Sequence, residues 1–389
     1  MKKLIFLAAL AGVALVGCNK TIDGPALPST RSAQVTFHIA SNGTKADANA
    51  IDAGDVLESA INTVDCFIFN SDGSLDAYAS FAGGEDYTTY ASTGADKKFY
   101  ALVNAPASFS LAEVVNESGL LTKVYDLKDN KDGEGKLKNF QMFGYATQAL
   151  VSGNNEINVS VDRTVARIRL KSIKRDFDMA SLQAATMSID NIYVINAVGQ
   201  YAMAAAAAPS YKAQDTDEWY NKFTDMTPRT SPAAFSAETN LWLNKAISSS
   251  ITLANLATEN NSGAGWNFYV MPNDFVQNDD SDPENVLAAD PRGGADWSAR
   301  LTKLVVEVTI NGTKYYYSIP IADMESYPDG EINAGILANH TYDIELLELH
   351  RPGSLDPDVP VGAATATFNI SINDWTVVAL ETEAGKYVI

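Results

Sequence analysis

Residues 301–321 leave the chain little choice of local structure. Two strand-forming runs, 301–310 and 314–321, flank Asn311-Gly312, a dipeptide that tolerates the positive φ of a tight hairpin turn. The same grammar recurs at 64–69, where a strand-forming run passes through Asn70-Ser71-Asp72-Gly73 into 74–81. Residues 156–173 alternate through Ile157, Val159 and Val161, slip at Asp162-Arg163, and resume with Ala166, Ile168 and Leu170 opposite Arg167 and Arg169. Further strands are expected at 97–103, 188–197, 266–271, 340–349, 364–372 and 375–389. A short helix is expected within 111–122 with Ser110 as its cap, and long loops at 126–138, 211–240 and 278–294. Strands at such spacing with few helices give an all-β sandwich class. At 389 residues the chain exceeds one ordinary core, and the slip near Arg163 is where one sheet would hand over to a second domain.

Two strands at opposite ends of the chain carry the same pattern. Residues 33–45 set Ala33, Val35, Phe37 and Ile39 against Gln34, Thr36 and His38, then break at Asn42-Gly43 before Lys45. Near the C-terminus Ala366, Phe368, Ile370 and Ile372 repeat the alternation, and Val377 and Ala379 follow in the terminal run. A trypsin-like protease cutting after Lys45 would make Ala46 the new N-terminus, remove Val35, Phe37 and Ile39, and leave a vacancy that the tail of another molecule fits. Arg31 is the second choice of cleavage site, and a cut there leaves the strand in place.

The first residues point to export. Lys2 and Lys3 precede an apolar run from 4 to 16, too short for a membrane span and built like a signal peptide, and it ends Leu15-Val16-Gly17-Cys18. Small residues before a cysteine resemble a bacterial lipobox, in which Cys18 receives a lipid and becomes the N-terminus. Cys66 is then the remaining cysteine, so no disulfide within the chain is available to it; its strand position suits a small buried hydrophobe. Net charge is −20, and loss of residues 1–45 removes five basic side chains and one acid, leaving 23 against 47, or −24. So acidic a surface repels phosphate backbones and anionic lipid heads, which argues against a nucleic-acid partner.

Catalytic chemistry finds little to work with. His38, His340 and His350 are far apart and lack metal-ligand spacing, and no GxSxG, phosphate-binding loop or GxGxxG occurs, so neither an enzyme, a metal nor a cofactor is expected. In the acid-rich stretch 126–134, Asn130, Asp132 and Gly133 suit places in a calcium loop, but Lys128 and Asn139 fall at its first and last positions. The acid-rich 279–284 has no Gly; both read as solvated loops. Aromatic residues between Tyr211 and Tyr220 suit either a sugar-stacking platform or a loop anchored by packing.

Taken together, the lipobox at Cys18, the strand around Val35 to Ile39 before a basic residue, Phe99-Tyr-Ala-Leu-Val-Asn-Ala105, Arg163-Thr-Val-Ala-Arg167, Asn191-Ile-Tyr193, Asn267-Phe-Tyr-Val-Met-Pro-Asn273, Asn339-His-Thr-Tyr-Asp-Ile344 and Ile372-Asn-Asp-Trp375 resemble the fimbrillin family of Bacteroidales, major subunits of type V pili. The resemblance spans nearly the whole chain. It implies two tandem transthyretin-like β-sandwich domains, at 46–162 and 163–360, behind a signal peptide at 1–18 and a propeptide at 19–45. It implies a donor-strand extension at 361–389 built from Ala366, Phe368, Ile370, Ile372, Val377 and Ala379. The expected life history is an acylated (palmitate-bearing) lipoprotein precursor at the outer membrane, matured by a protease and polymerised by donor-strand exchange into a surface fimbrium supporting adhesion. Its partners would be other copies of itself, anchor and tip subunits and an unidentified surface receptor. The family is cut after arginine, whereas Lys45 stands in the matching place here. The rivals are a tip adhesin, an anchor, or a monomeric glycan-binding surface lipoprotein that keeps Cys18; the basic residue after the first strand and the strand-forming tail favour a stem subunit.

Overall fold

A computed structural model describes residues 31–41, 58, 60–84, 87–130, 140–203, 219–221, 243–247, 257–258, 265–273, 301–324 and 332–374. In the N-terminal half the strands are β1 (Ala33–Ser41), β2 (Thr63–Phe69), β3 (Leu75–Ala82), β4 (Thr88–Ala91), β5 (Gly94–Val103), β6 (Val124–Asp126), β7 (Met142–Leu150) and β8 (Gly153–Arg163). All but β6 form one seven-stranded sheet in the order β3-β2-β5-β7-β8-β1-β4. That sheet folds over along β8. The C-terminal end of β8 pairs with β7 at Met142↔Arg163 and Phe143↔Asp162, while the rest of its length pairs with β1. Gly144 permits the crossing, because a Cβ there would lie 2.0 Å from the Ser160 carbonyl oxygen. Between the two leaves lies a core drawn from alternate positions of both: Ala33, Val35, Phe37 and Ile39 from β1, Val64, Cys66 and Ile68 from β2, Phe99, Ala101 and Val103 from β5, and Ile157, Val159 and Val161 from β8.

Beyond Arg163 the chain builds new sheets. Strands β9 (Ala166–Leu170), β10 (Ser172–Arg175) and β11 (Met187–Ile195) each enter a different four-stranded sheet. The hairpin expected at 301–321 is present as Lys303–Ile310 and Thr313–Pro320, with Asn311 at φ 48° and Gly312 at φ 81°. A second core links these sheets with the far face of the first one, through Phe67, Phe69, Tyr100 and Leu102. Across the same face β6 pairs with Gln200–Ala202.

Several expected elements differ. The helix does not span 111–122: Ser110 sits at φ 46° without a side-chain cap bond, and the short α1 (Glu117–Leu121) is capped instead by Asn116, whose Oδ1 accepts from the Gly119 N–H at 2.8 Å. The run 156–173 is not continuous; β8 ends at Arg163 and the chain turns before β9, where the Thr164 N–H donates to Gln141 O. The expected strand 340–349 divides into His340–Ile344 and Leu347–Leu349, and 364–372 becomes Ala366–Thr367 and Ile370–Asp374, each pair split between two sheets. The terminal run 375–389 and the loop 278–294 lie outside the described residues.

Candidate functional site

The site is the slot that β1 fills. Every residue of β1 pairs in parallel with β8, from Ala33↔Gly153 to Ser41↔Val161, and Ala33 to Thr36 pair antiparallel with β4 on the other side. Phe37 extends that second ladder by donating its N–H to the Tyr87 carbonyl at 2.9 Å. Ala33 and Val35 are fully buried, and Phe37 and Ile39 keep 2% and 8% of their surface. Phe37 meets Phe99 edge to face at 5.9 Å between ring centres. On the outer side Thr36 and Thr88 share a hydroxyl contact of 3.2 Å and His38 Nε2 lies 2.5 Å from Glu156 Oε2 in solvent, while buried Asn155 donates from Nδ2 to Gln34 O at 3.2 Å. Burial of Val35, Phe37 and Ile39 contributes roughly 1.5–3 kcal/mol each and Ala33 less, so the slot favours occupancy by about 5–9 kcal/mol before ladder bonds are counted. Vacating it would leave an apolar trough bordered by two unpaired strand edges, a surface that invites strand addition.

Of the two basic residues bracketing this strand, Arg31 lies among the described residues. Arg31 donates from its guanidinium to the Asp76 carbonyl of β3 at 2.7 Å, and the neighbouring Ser32 carbonyl accepts from the Gly153 N–H at 2.9 Å. The Arg31 side chain and the backbone of the next residue are therefore tied to the folded sheet, which holds this bond back from a protease cleft. Beneath it the Asp76 carboxylate holds buried Lys97 at 2.7 Å. Lys45, Ala46 and Cys18 lie outside the described residues.

At the other end, Ala366 is buried, whereas Phe368, Ile370 and Ile372 are half-buried. Thr367 and Ala366 pair with Leu347–Leu349, and Ile370–Asp374 pairs with His340–Ile344; each short strand closes one side of a four-stranded sheet. Val377 and Ala379 lie outside the described residues.

Between the halves sits a polar cluster that sequence reasoning missed. Glu58, on the path from Lys45 to β2, directs its carboxylate at Arg167 Nη1 (3.0 and 3.1 Å) and accepts from the Tyr269 hydroxyl at 2.8 Å, while its carbonyl accepts from Arg163 Nε at 2.9 Å. Arg163 Nη1 also donates to Asn339 Oδ1 at 3.1 Å, and Asn339 Nδ2 donates to Asp162. Burial pulls the Arg163 guanidinium down to about 10, against the Glu58 carboxylate, which raises it, and with Arg167, which lowers it further; it stays charged at neutral pH. The short β4 was also missed, although Thr88-Thr89-Tyr90 is a run of strand-favouring residues.

Each histidine has its own local partner, Glu156 for His38, Ala338 O for His340, Asp176 O and Thr367 for His350, and no group of three metal-ligating side chains occurs among the described residues. Asn130 is buried with its Oδ1 accepting from the Gln141 N–H, and Asp126 accepts from the hydroxyl of buried Tyr220 at 2.8 Å, while Tyr211 lies outside the described residues. Asp132, Gly133, Asn139 and 279–284 lie outside the described residues. In Cys66, burial chiefly, with Asp65 beside it, pushes the thiol far above its ordinary range.

No family model matches the chain, and no curated protein matches it. Solved structures do. A fimbrilin from Porphyromonas gingivalis is similar at a TM-score of 0.61 and 16% identity over 90% of this chain and 99% of its own. A candidate cell adhesion protein from Bacteroides eggerthii gives 0.60 and 19% over 90% of this chain and 98% of its own. A second such protein, from Parabacteroides distasonis, gives 0.54 and 15% over 89% and 99%. The chain therefore has the all-β fold of these Bacteroidales proteins across nearly its full length.

Proposed function

We propose that the protein is a stem subunit of a surface fimbrium, exported as a lipoprotein on Cys18, matured by cleavage between Lys45 and Ala46, and polymerised by donor-strand exchange. The observation that carries this reading is the position of β1, a strand held in the interior of a sheet by ladders on both sides that enters the chain ahead of the proposed cut. An ordinary first strand sits well at an edge; one whose loss empties a core slot is suited to replacement. The occupant is the tail of a second copy, from Ala366 onward, with Val377 and Ala379 in its final run. The sheet boundary near Arg163 fits two domains, 46–162 and 163–360, the second ending where the tail begins. The engagement of Arg31 favours Lys45 as the cleavage site. Fold-sharing with a fimbrilin agrees with the role, and adhesion would follow from the assembled fibre, with anchor and tip subunits as further partners.

Limited trypsin digestion of purified precursor tests it. Intact mass should show acyl chains on Cys18 before digestion, then an N-terminus at Ala46, and electron microscopy should show fibres only afterwards. A subunit that loses β1 and stays monomeric, or fibres that form without cleavage, would contradict the proposal.

A further inference from the structure

The tail matches β1 in more than its apolar period. Read in the same direction, Val35-Thr36-Phe37-His38-Ile39 and Ala366-Thr367-Phe368-Asn369-Ile370 share Thr, Phe and Ile at equivalent places. Reading the tail backwards keeps the alternation and the central Phe but loses the Thr and Ile identities. We infer that the tail of a neighbouring copy enters the slot in one register, with Phe368 in the place of Phe37, parallel to β8. This rests on the strand-exchange reading proposed above.

The local chemistry fits this register at each position. Phe368 would meet Phe99, which Phe37 now contacts edge to face. Ile370 takes the place of Ile39 and Ala366 that of Val35, both at buried positions. Thr367 replaces Thr36 opposite Thr88, the pair whose hydroxyls lie 3.2 Å apart. Asn369 replaces His38 beside Glu156, in solvent, where either polar group is tolerated. Ile372 comes to the place of Ser41, opposite Val161 of β8. A slip of one residue would turn Phe368 and Ile370 to solvent; a slip of two would set a side chain other than Phe against Phe99.

The exchange also has a direction. In its own chain this segment is paired on one side only, as the last strand of two sheets, with Phe368, Ile370 and Ile372 half-buried. In the slot Phe368 and Ile370 would take the places of Phe37 and Ile39, which are 2% and 8% exposed, with ladders on both sides through the slot's first half. Once β1 is gone, movement from edge to slot gains burial and hydrogen bonds together.

The register fixes neighbours that a disulfide can report. His38 pairs with Asn158, an exposed residue, so Asn369 of the incoming tail should lie opposite Asn158. Mature Asn158→Cys subunits would be mixed with subunits carrying Thr367→Cys, Asn369→Cys, Ser371→Cys or Val377→Cys, polymerised and oxidised. The dominant crosslinked dimer should come from Asn369→Cys. A maximum at Thr367 or Ser371 overturns the register while leaving strand exchange in place. A maximum at Val377 assigns the slot to the terminal run and overturns the inference. Fibres with no crosslink at any position overturn both the register and the donor, and failure of unsubstituted mature protein to form fibres removes the reading on which both stand.

Discussion

At the scale of single residues, Phe37 and Glu58 separate what holds the precursor from what holds the mature subunit. Phe37 lies almost wholly buried against Phe99, so Phe37→Ala removes most of an aromatic side chain from a core that cannot fully collapse around the gap. It should destabilise the precursor by about 3–5 kcal/mol in urea unfolding. If maturation removes β1 as proposed, the same substitution should not alter a fibre; an equal loss in fibres would mean that β1 is retained. Glu58 lies beyond the proposed cut, at the junction of the two halves. Glu58→Ala leaves the Arg167 charge buried without its carboxylate and should cost mature and precursor forms alike, about 3–5 kcal/mol by the same measurement. A loss below about 1 kcal/mol would show that solvent reaches this cluster.

At the scale of elements, the sequence is most informative where a strand has one wet and one dry face. The hairpin at Asn311-Gly312 and the inward row of β1 were legible because period-2 alternation and turn chemistry are local. The path of 340–349 and 364–372 was not, because a strand that breaks after Ile344 or Thr367 to join another sheet obeys tertiary packing, and apolar residues such as Leu346 and Phe368 sit at the breaks themselves. Nor could alternation place β1 between two neighbours in its sheet, since inward burial is the same at an edge and inside. That placement came only from the ladders to β8 and β4, and it is what turns a first strand into a candidate for removal. It has a measurable consequence at Cys66, which shares the core with Val35, Phe37 and Ile39. A thiol reagent should modify Cys66 very slowly in the precursor, much faster in a cleaved subunit kept dilute, and slowly again in fibres. Equal rates in precursor and cleaved monomer would show that the slot closes on itself.

For the whole molecule, the cluster of Glu58, Arg163, Arg167, Tyr269 and Asn339 ties the stretch after the proposed cut to strands of the C-terminal half. A second core and the pairing of β6 with Gln200–Ala202 join the halves further. Loss of residues 1–45 would then leave the framework that shapes the slot in place, and its energy would go into capturing a neighbour rather than into refolding. The central claim is that this capture replaces β1. It is tested most directly by N-terminal sequencing and peptide mass mapping of subunits taken from washed fibres. The account predicts a single N-terminus at Ala46 and no peptide covering residues 33–41; fibre subunits that begin at Cys18 or Ser32 and still contain 33–41 would contradict it.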